Sequence, residues 1–72
     1  MAQKPIFVPR DWESVANLRA GMFISLPESD FDDIREVAGT VVVNGKWIVT
    51  FSDGTAKRFP SFERVMTFVP ID

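Results

Sequence analysis

"VVVNGKWIVTFSDG", residues 41–54, decides the fold, because it places two tight-turn signals between strongly β-forming runs. Asn-Gly between two such runs is the strongest short hairpin signal, since both positions of a type I′ turn require positive φ. A two-residue turn at Asn44-Gly45 fixes the register and places Val42 opposite Trp47. The sequence therefore predicts an antiparallel hairpin, and one face of it carries Thr40, Val42, Trp47, Val49 and Phe51.

A second turn signal, "SDG" (52–54), leads from this hairpin into the next predicted strand. A three-residue loop with Gly54 in the left-handed conformation would place Phe59 on the face of Trp47. A two-residue Asp-Gly loop would reverse that parity. We favour the three-residue loop, because it gathers the large apolar side chains on one face.

The N-terminal part is predicted to form an extended arm followed by a short helix. Two prolines bracket "KPIFVP" (4–9), and a central strand does not tolerate them well, so residues 1–10 form an arm or an edge strand. "DWESVANLRAG" predicts a helix over residues 11–20, because Asp11 can cap its first turn and Gly21 is a natural stop.

The other segments are short and are punctuated by Pro and Gly. "MFISL" (22–26) and "VMTFVP" (65–70) predict strands, and "PSFERV" (60–65) suits a single 3₁₀ turn. Residues 27–39 carry both a helical spacing of apolar residues and a capping-box pattern, but the sequence that follows is strongly β. Of these alternatives we favour an acidic loop with at most one helical turn.

The resulting order of strands and turns over residues 20–69 resembles an SH3-like small barrel of the SH3, Tudor and KOW type. "WIVTFSDG" (47–54) looks like the Tudor pattern of alternating apolar residues that ends in Phe-x-Asp-Gly. The resemblance implies a mainly β, five-stranded antiparallel barrel over residues 21–70, with the short N-terminal helix outside it. The whole chain, residues 1–72, then forms a single SH3-like domain.

Composition excludes several function classes. The 72-residue chain has no Cys and no His, so thiolate chemistry and a zinc site of the usual kind are not expected. None of the common catalytic or nucleotide-binding motifs is present, and we expect no enzymatic activity, cofactor, metal or small-molecule substrate. No apolar run is long enough to span a membrane and no leader is recognisable, so a cytoplasmic location is expected.

The acidic segment is the first candidate binding site. Carboxylates are concentrated in this segment, and two nearby aromatic residues could contribute to the same contact. The candidate partner-binding residues are Glu28, Asp30, Phe31, Asp32, Asp33 and Trp47. The first hypothesis is a non-enzymatic interaction module that binds a protein partner through these residues. By association with other small free-standing barrels, it would be an accessory or inhibitory protein of the phage or mobile-element type. The competing interpretation is that the loop is solvated and that Trp47 fills the core.

Basic residues supply the second hypothesis, a nucleic-acid-binding barrel. Residues 37–72 carry 4 basic and 3 acidic side chains, against 4 and 7 in residues 1–36, so the charge is polarised. The cations of the second half are Lys46, Lys57, Arg58 and Arg64. A third hypothesis is a structural subunit, in which residues 4–9 add to a neighbour's sheet edge. The sequence leaves the oligomeric state open.

Overall fold

The computed structural model describes residues 6–26 and 33–71, and this part of the chain is almost entirely β-structure. Six antiparallel strands form one open sheet in the order β1-β6-β2-β3-β4-β5, so β1 and β5 are its edges. The strands are β1 (Ile6–Ser14), β2 (Phe23–Ser25), β3 (Ile34–Val43), β4 (Lys46–Phe51), β5 (Ala56–Pro60) and β6 (Arg64–Ile71). The predicted mainly β class is confirmed, whereas a closed five-stranded barrel is not.

The central hairpin of β3 and β4 has the predicted turn and register. Asn44 has φ +51° and Gly45 has φ +77°, as a type I′ turn requires. Val42 lies opposite Trp47, and the pairs on either side of it keep the same register.

The loop between β4 and β5 has the three-residue form. The N–H of Phe51 donates to the carbonyl of Thr55 at 2.8 Å, and Gly54 has φ +91°. Trp47 consequently lies opposite Phe59, which confirms the predicted parity of β5.

The predicted helix over residues 11–20 is wrong. Residues 11–14 belong to β1, which pairs with β6 along its whole length, and only Val15–Asn17 form a 3₁₀ turn. The hydroxyl of Ser14, rather than Asp11, caps this turn by accepting the Ala16 N–H at 3.2 Å. Pairing with β6 supplies the backbone hydrogen bonds that a short isolated helix could not hold, so tertiary structure overrides the local signal.

The edge-strand alternative for the N-terminal arm is confirmed for residues 6–9, while residues 1–5 lie outside the described part. Pro9 is accommodated because β1 is an edge strand, and a bulge follows it before Asp11.

Two connections also differ from expectation. Between β5 and β6, the N–H of Glu63 donates to the carbonyl of Pro60 at 3.0 Å, which closes a simple turn rather than a 3₁₀ helix. Since β3 already begins at Ile34, the helical alternative for the segment 27–39 is wrong from that residue onwards. The favoured acidic loop is also shorter than predicted, because β3 already includes residues 34–36, and residues 27–32 lie outside the described part of the chain.

A single buried cluster receives side chains from β2 to β6 and from the 3₁₀ turn. Because neighbouring and distant strands share this cluster, the sheet curves around it instead of lying flat. A bulge in β3 between Val37 and Gly39 lets this strand pair with both β2 and β4. The buried cluster consists of Val15, Leu18, Ile24, Leu26, Val37, Val49, Phe51, Phe59 and Val65.

Candidate binding surface

Asp33 is the one carboxylate of the predicted acidic site that lies within the described residues, and it is engaged inside the chain. The Arg35 guanidinium donates to both of its oxygens, from Nε at 3.0 Å and from Nη2 at 2.9 Å. Such a bidentate pair is directional and charge-assisted. Asp33 therefore anchors the end of the acidic segment to β3.

Arg35 also reaches the loop between β4 and β5. Its Nη1 donates to the Thr55 hydroxyl at 2.8 Å and lies 3.6 Å from a carboxylate oxygen of Asp53. The guanidinium carbon is 5.8 Å from the centre of the Phe51 ring, within cation–π distance. One side chain thus connects the start of β3 with the second turn.

The carboxyl group of Asp53 is hydrogen-bonded within its own turn, and these bonds affect its pKa. It accepts the Thr55 hydroxyl at 2.6 Å and the Thr55 backbone N–H at 2.9 Å. These two hydrogen bonds, with a smaller contribution from Arg35, hold the pKa of Asp53 below its usual value. This arrangement orders the turn and provides no acid or base poised near neutral pH.

The other acidic-segment residues, Glu28, Asp30, Phe31 and Asp32, lie outside the described residues, so their role in partner binding stays a prediction. Trp47 is half-buried and packs against the buried cluster from its position beside Phe59. This contact fits the interpretation of Trp47 as a partly buried cross-strand neighbour of Val42.

The four cations of the second hypothesis do not form one patch. Lys46 and Arg58 lie on the side of β4 and β5 that faces away from the buried cluster, because both strands alternate and Val49 and Phe59 are buried on the other side. Lys57 lies two residues before Phe59 in β5 and so shares the side of the buried cluster, opposite to Arg58. Arg64 lies at the start of β6. The structure therefore brings two of the four together.

Lys46 and Arg58 accompany a row of apolar side chains, and together these residues form a surface that we call the outer β3–β5 face. Val41 lies opposite Ile48, which lies opposite Arg58, so these three share one side across three strands. Val43 and Lys46 form the next row. Val41 is 50% exposed and Val43 is 45% exposed. The outer β3–β5 face comprises Val41, Val43, Lys46, Ile48 and Arg58.

Two shallow depressions adjoin this face and meet at Arg58. One of about 300 Å³ is lined by Lys46, Arg58, Phe59 and Pro60. The other, of about 350 Å³, is lined by Ile48, Ala56, Lys57 and Arg58. Both are open to solvent and follow β5, the edge strand of the sheet. They provide recesses beside the outer β3–β5 face.

The apolar part of this face was missed at the level of sequence, although the signal was present. Three consecutive valines in a strand cannot all point to one side, because successive side chains alternate. Once Val42 is opposite Trp47, the same register places Val41 and Val43 on the other side. The predicted hairpin thus already contained an apolar outer face.

A second apolar region lies on β1, β2 and β6. The rings of Phe7 and Phe23 are 5.0 Å apart, and Phe23 pairs with Phe68. Trp12 is 48% exposed next to Met66. The sequence placed Trp12 on a helix, and its exposure follows instead from its place in the edge strand.

No helix among residues 6–26 and 33–71 has the length and apolar character of a membrane span. Within the same ranges, no three side chains of the His, Cys, Asp or Glu types are grouped as a metal site. The chain was also compared with known proteins. No protein-family model, no curated protein and no solved structure matches this chain.

Proposed function

We propose that this protein is a non-enzymatic binding module that recognises another protein through the outer β3–β5 face. The observation that carries the proposal is the half-exposed pair Val41 and Val43, which lies beside Lys46 and Arg58 on one side of three strands. The 72 residues contain neither His nor Cys, two side chains that commonly act as general bases and nucleophiles in enzymes.

The chemistry of the face defines the partner in outline. Removing apolar surface from water yields roughly 25 cal/mol per Å², so the valines and Ile48 supply affinity when they are covered. Lys46 and Arg58 at the margin favour a partner with carboxylates and contribute mainly to orientation and association rate. We therefore expect the partner surface to combine apolar and acidic side chains.

The acidic segment remains part of the proposal as a second contact region. Asp33 is held by Arg35, so a contribution to binding would come from Glu28, Asp30, Phe31 and Asp32. An accessory or inhibitory role is consistent with a small module without catalytic groups, and it rests on association.

Two matched substitutions test the proposed face. Val41 and Val42 are neighbours in β3, are both 50% exposed, and point to opposite sides of the sheet. V41D places a charge in the outer face, whereas V42D makes the same change on the side of Trp47. The two tagged variants and the unchanged protein are incubated with extract of the native host, and captured proteins are quantified by mass spectrometry.

A protein captured by the unchanged chain and by V42D, but lost with V41D, supports the proposal. Loss with V42D alone moves the site to the side of Trp47. Equal capture by all three variants contradicts the outer face, and the variant D30K/D32K then tests the acidic segment. Circular dichroism of each variant confirms that the comparison is between folded proteins.

Nucleic-acid binding is a second candidate, favoured by the shared position of Lys46 and Arg58 on one face. Two cations are few for duplex binding, which usually needs several phosphate contacts. Titration with a single-stranded oligonucleotide at rising salt tests this candidate. Affinity that falls steeply with salt and is lost in the variant K46E/R58E would support it in place of protein binding.

The structural-subunit hypothesis is constrained by β1. Residues 6–9 pair with β6 of the same chain, so they are not free to replace a strand in a neighbour. Only the outer edge of β1 is left for such a contact, and Pro9 and the bulge after it interrupt that edge. Sedimentation at high protein concentration tests whether the chain self-associates.

A further inference from the structure

We infer that the free edge of β5 binds an extended, acidic segment of the partner protein as an additional strand. The inference rests on the proposed function, since it specifies the conformation and chemistry of the partner at the same side of the molecule. Among residues 6–26 and 33–71, β5 is the last strand of the open sheet, and one of its two sides has no neighbouring strand there. An unpaired strand edge is a template for another strand.

The register determines which backbone groups are offered at this edge. Residues of an antiparallel pair alternate between those whose N–H and C=O point to the partner strand and those whose groups point away. The carbonyl of Thr55 accepts the Phe51 N–H, so the backbone groups of Thr55 point to β4. The backbone groups of Lys57 and Phe59, two and four residues further along, point to β4 as well. Ala56 and Arg58 therefore direct their N–H and C=O groups to the open edge, two residues apart, as an added strand requires.

The two edges of the sheet differ in how regularly their backbone groups could pair with an added strand. β1 contains Pro9 and a bulge, which break the regular row of hydrogen-bonding groups. In β5, pairing with β4 is regular from Ala56 to Pro60, and a proline occurs only at its last position. The β5 edge is therefore the better template.

Charge selects the kind of strand that can be added. Neither β4 nor β5 contains a carboxylate, although the chain as a whole has a net charge of −2. The Arg58 side chain would lie beside its cross-strand neighbour in the added strand, with Lys46 on the adjacent strand. A second copy of β5 centred on Arg58 would oppose arginine to arginine, which is unfavourable, whereas a carboxylate at that position is favourable.

Apolar contacts complete the recognition. Because successive side chains of a strand alternate, the residues between the carboxylates of an added strand would lie on the side of Phe59, where apolar side chains extend the buried layer of the sheet. Phe62 is 82% exposed in the turn directly after β5. The occupant is therefore an extended segment in which carboxylates alternate with apolar side chains.

The test uses a fluorescein-labelled, acetylated octapeptide of alternating Glu and Val, followed by anisotropy and by ¹⁵N amide spectra of the protein. We expect saturable binding that shifts the amides of Ala56 and Arg58 and slows their hydrogen exchange. The variant R58E should weaken binding about tenfold or more and should prefer the corresponding Lys-Val peptide. R64E, which makes the same charge change in β6, should bind the Glu-Val peptide as the unchanged protein does.

An N-methylated Glu-Val peptide distinguishes strand addition from charge attraction, because it retains the carboxylates but cannot complete the backbone hydrogen bonds. The inference predicts that this peptide fails to bind. Equal binding of the N-methylated peptide, equal weakening by R64E, or no binding of any peptide would overturn it. If the V41D-sensitive partner is still captured in that case, the proposed function stands and only the β5 edge is excluded.

Discussion

Arg35 connects parts of the chain that are 20 residues apart. Its guanidinium forms a bidentate pair with Asp33, donates to the Thr55 hydroxyl and lies over the Phe51 ring. The side chain is 29% exposed, so water screens these contacts only in part. Arg35 thereby fixes the end of the acidic segment against the turn before β5.

Replacing Arg35 should destabilise the fold without removing an apolar core residue. We expect R35M to lower the free energy of unfolding by about 1–2 kcal/mol, because the charge-assisted hydrogen bonds are lost. For a domain of this size, each kcal/mol corresponds to a Tm decrease of about 4–8 °C. R35K is the matched control: it keeps the charge but not the planar fork, and should be intermediate. A Tm equal to that of the unchanged protein would contradict a net stabilising role of these contacts.

Asp53 gives the fold a dependence on acid pH. Its pKa is depressed in the folded state, so the stabilisation is present above its unfolded pKa of about 3.9 and is lost as pH falls through the folded value. We expect D53N to remove this part of the dependence, which urea denaturation at a series of acid pH values measures. If the free energy of unfolding of D53N falls with pH as steeply as that of the unchanged protein, the role of the Thr55 hydrogen bonds is contradicted.

At the level of elements, the hairpin of β3 and β4 is specified locally and the N-terminal strand is not. Asn44-Gly45 adopts positive φ at both positions, and this turn sets the register that places Val42 on the side of Trp47 and Val41 on the other side. β1, in contrast, depends on β6, whose paired residues lie 50 or more positions away in sequence. Local cap and stop signals at Asp11 and Gly21 could not reveal that partner.

Removing the turn's conformational preference tests the hairpin. N44A/G45A should lower the free energy of unfolding by roughly 1–2 kcal/mol, because Ala tolerates positive φ poorly. S52A, an exposed turn residue without positive φ, should have little effect. If the two variants have the same denaturation midpoint, the type I′ assignment is wrong.

At the scale of the whole molecule, five of the six strands, β2 to β6, contribute to one buried cluster, yet apolar side chains remain exposed on the outer β3–β5 face. Turn chemistry and alternation were sufficient to predict the mainly β class, the two turns and the register of β3 to β5. The open edges could not be predicted, because closure depends on pairing between strands distant in sequence. The outer face followed from three consecutive valines, but the predicted site was placed on the acidic segment, where charge is most conspicuous.

The most direct test of the proposed binding surface is hydrogen–deuterium exchange of this protein with and without the partner isolated in the V41D and V42D comparison. We predict slower exchange in β4 and β5 upon binding, with β1 unchanged. Protection confined to β1 and β6, around Trp12, would contradict the account and would assign recognition to the opposite end of the sheet.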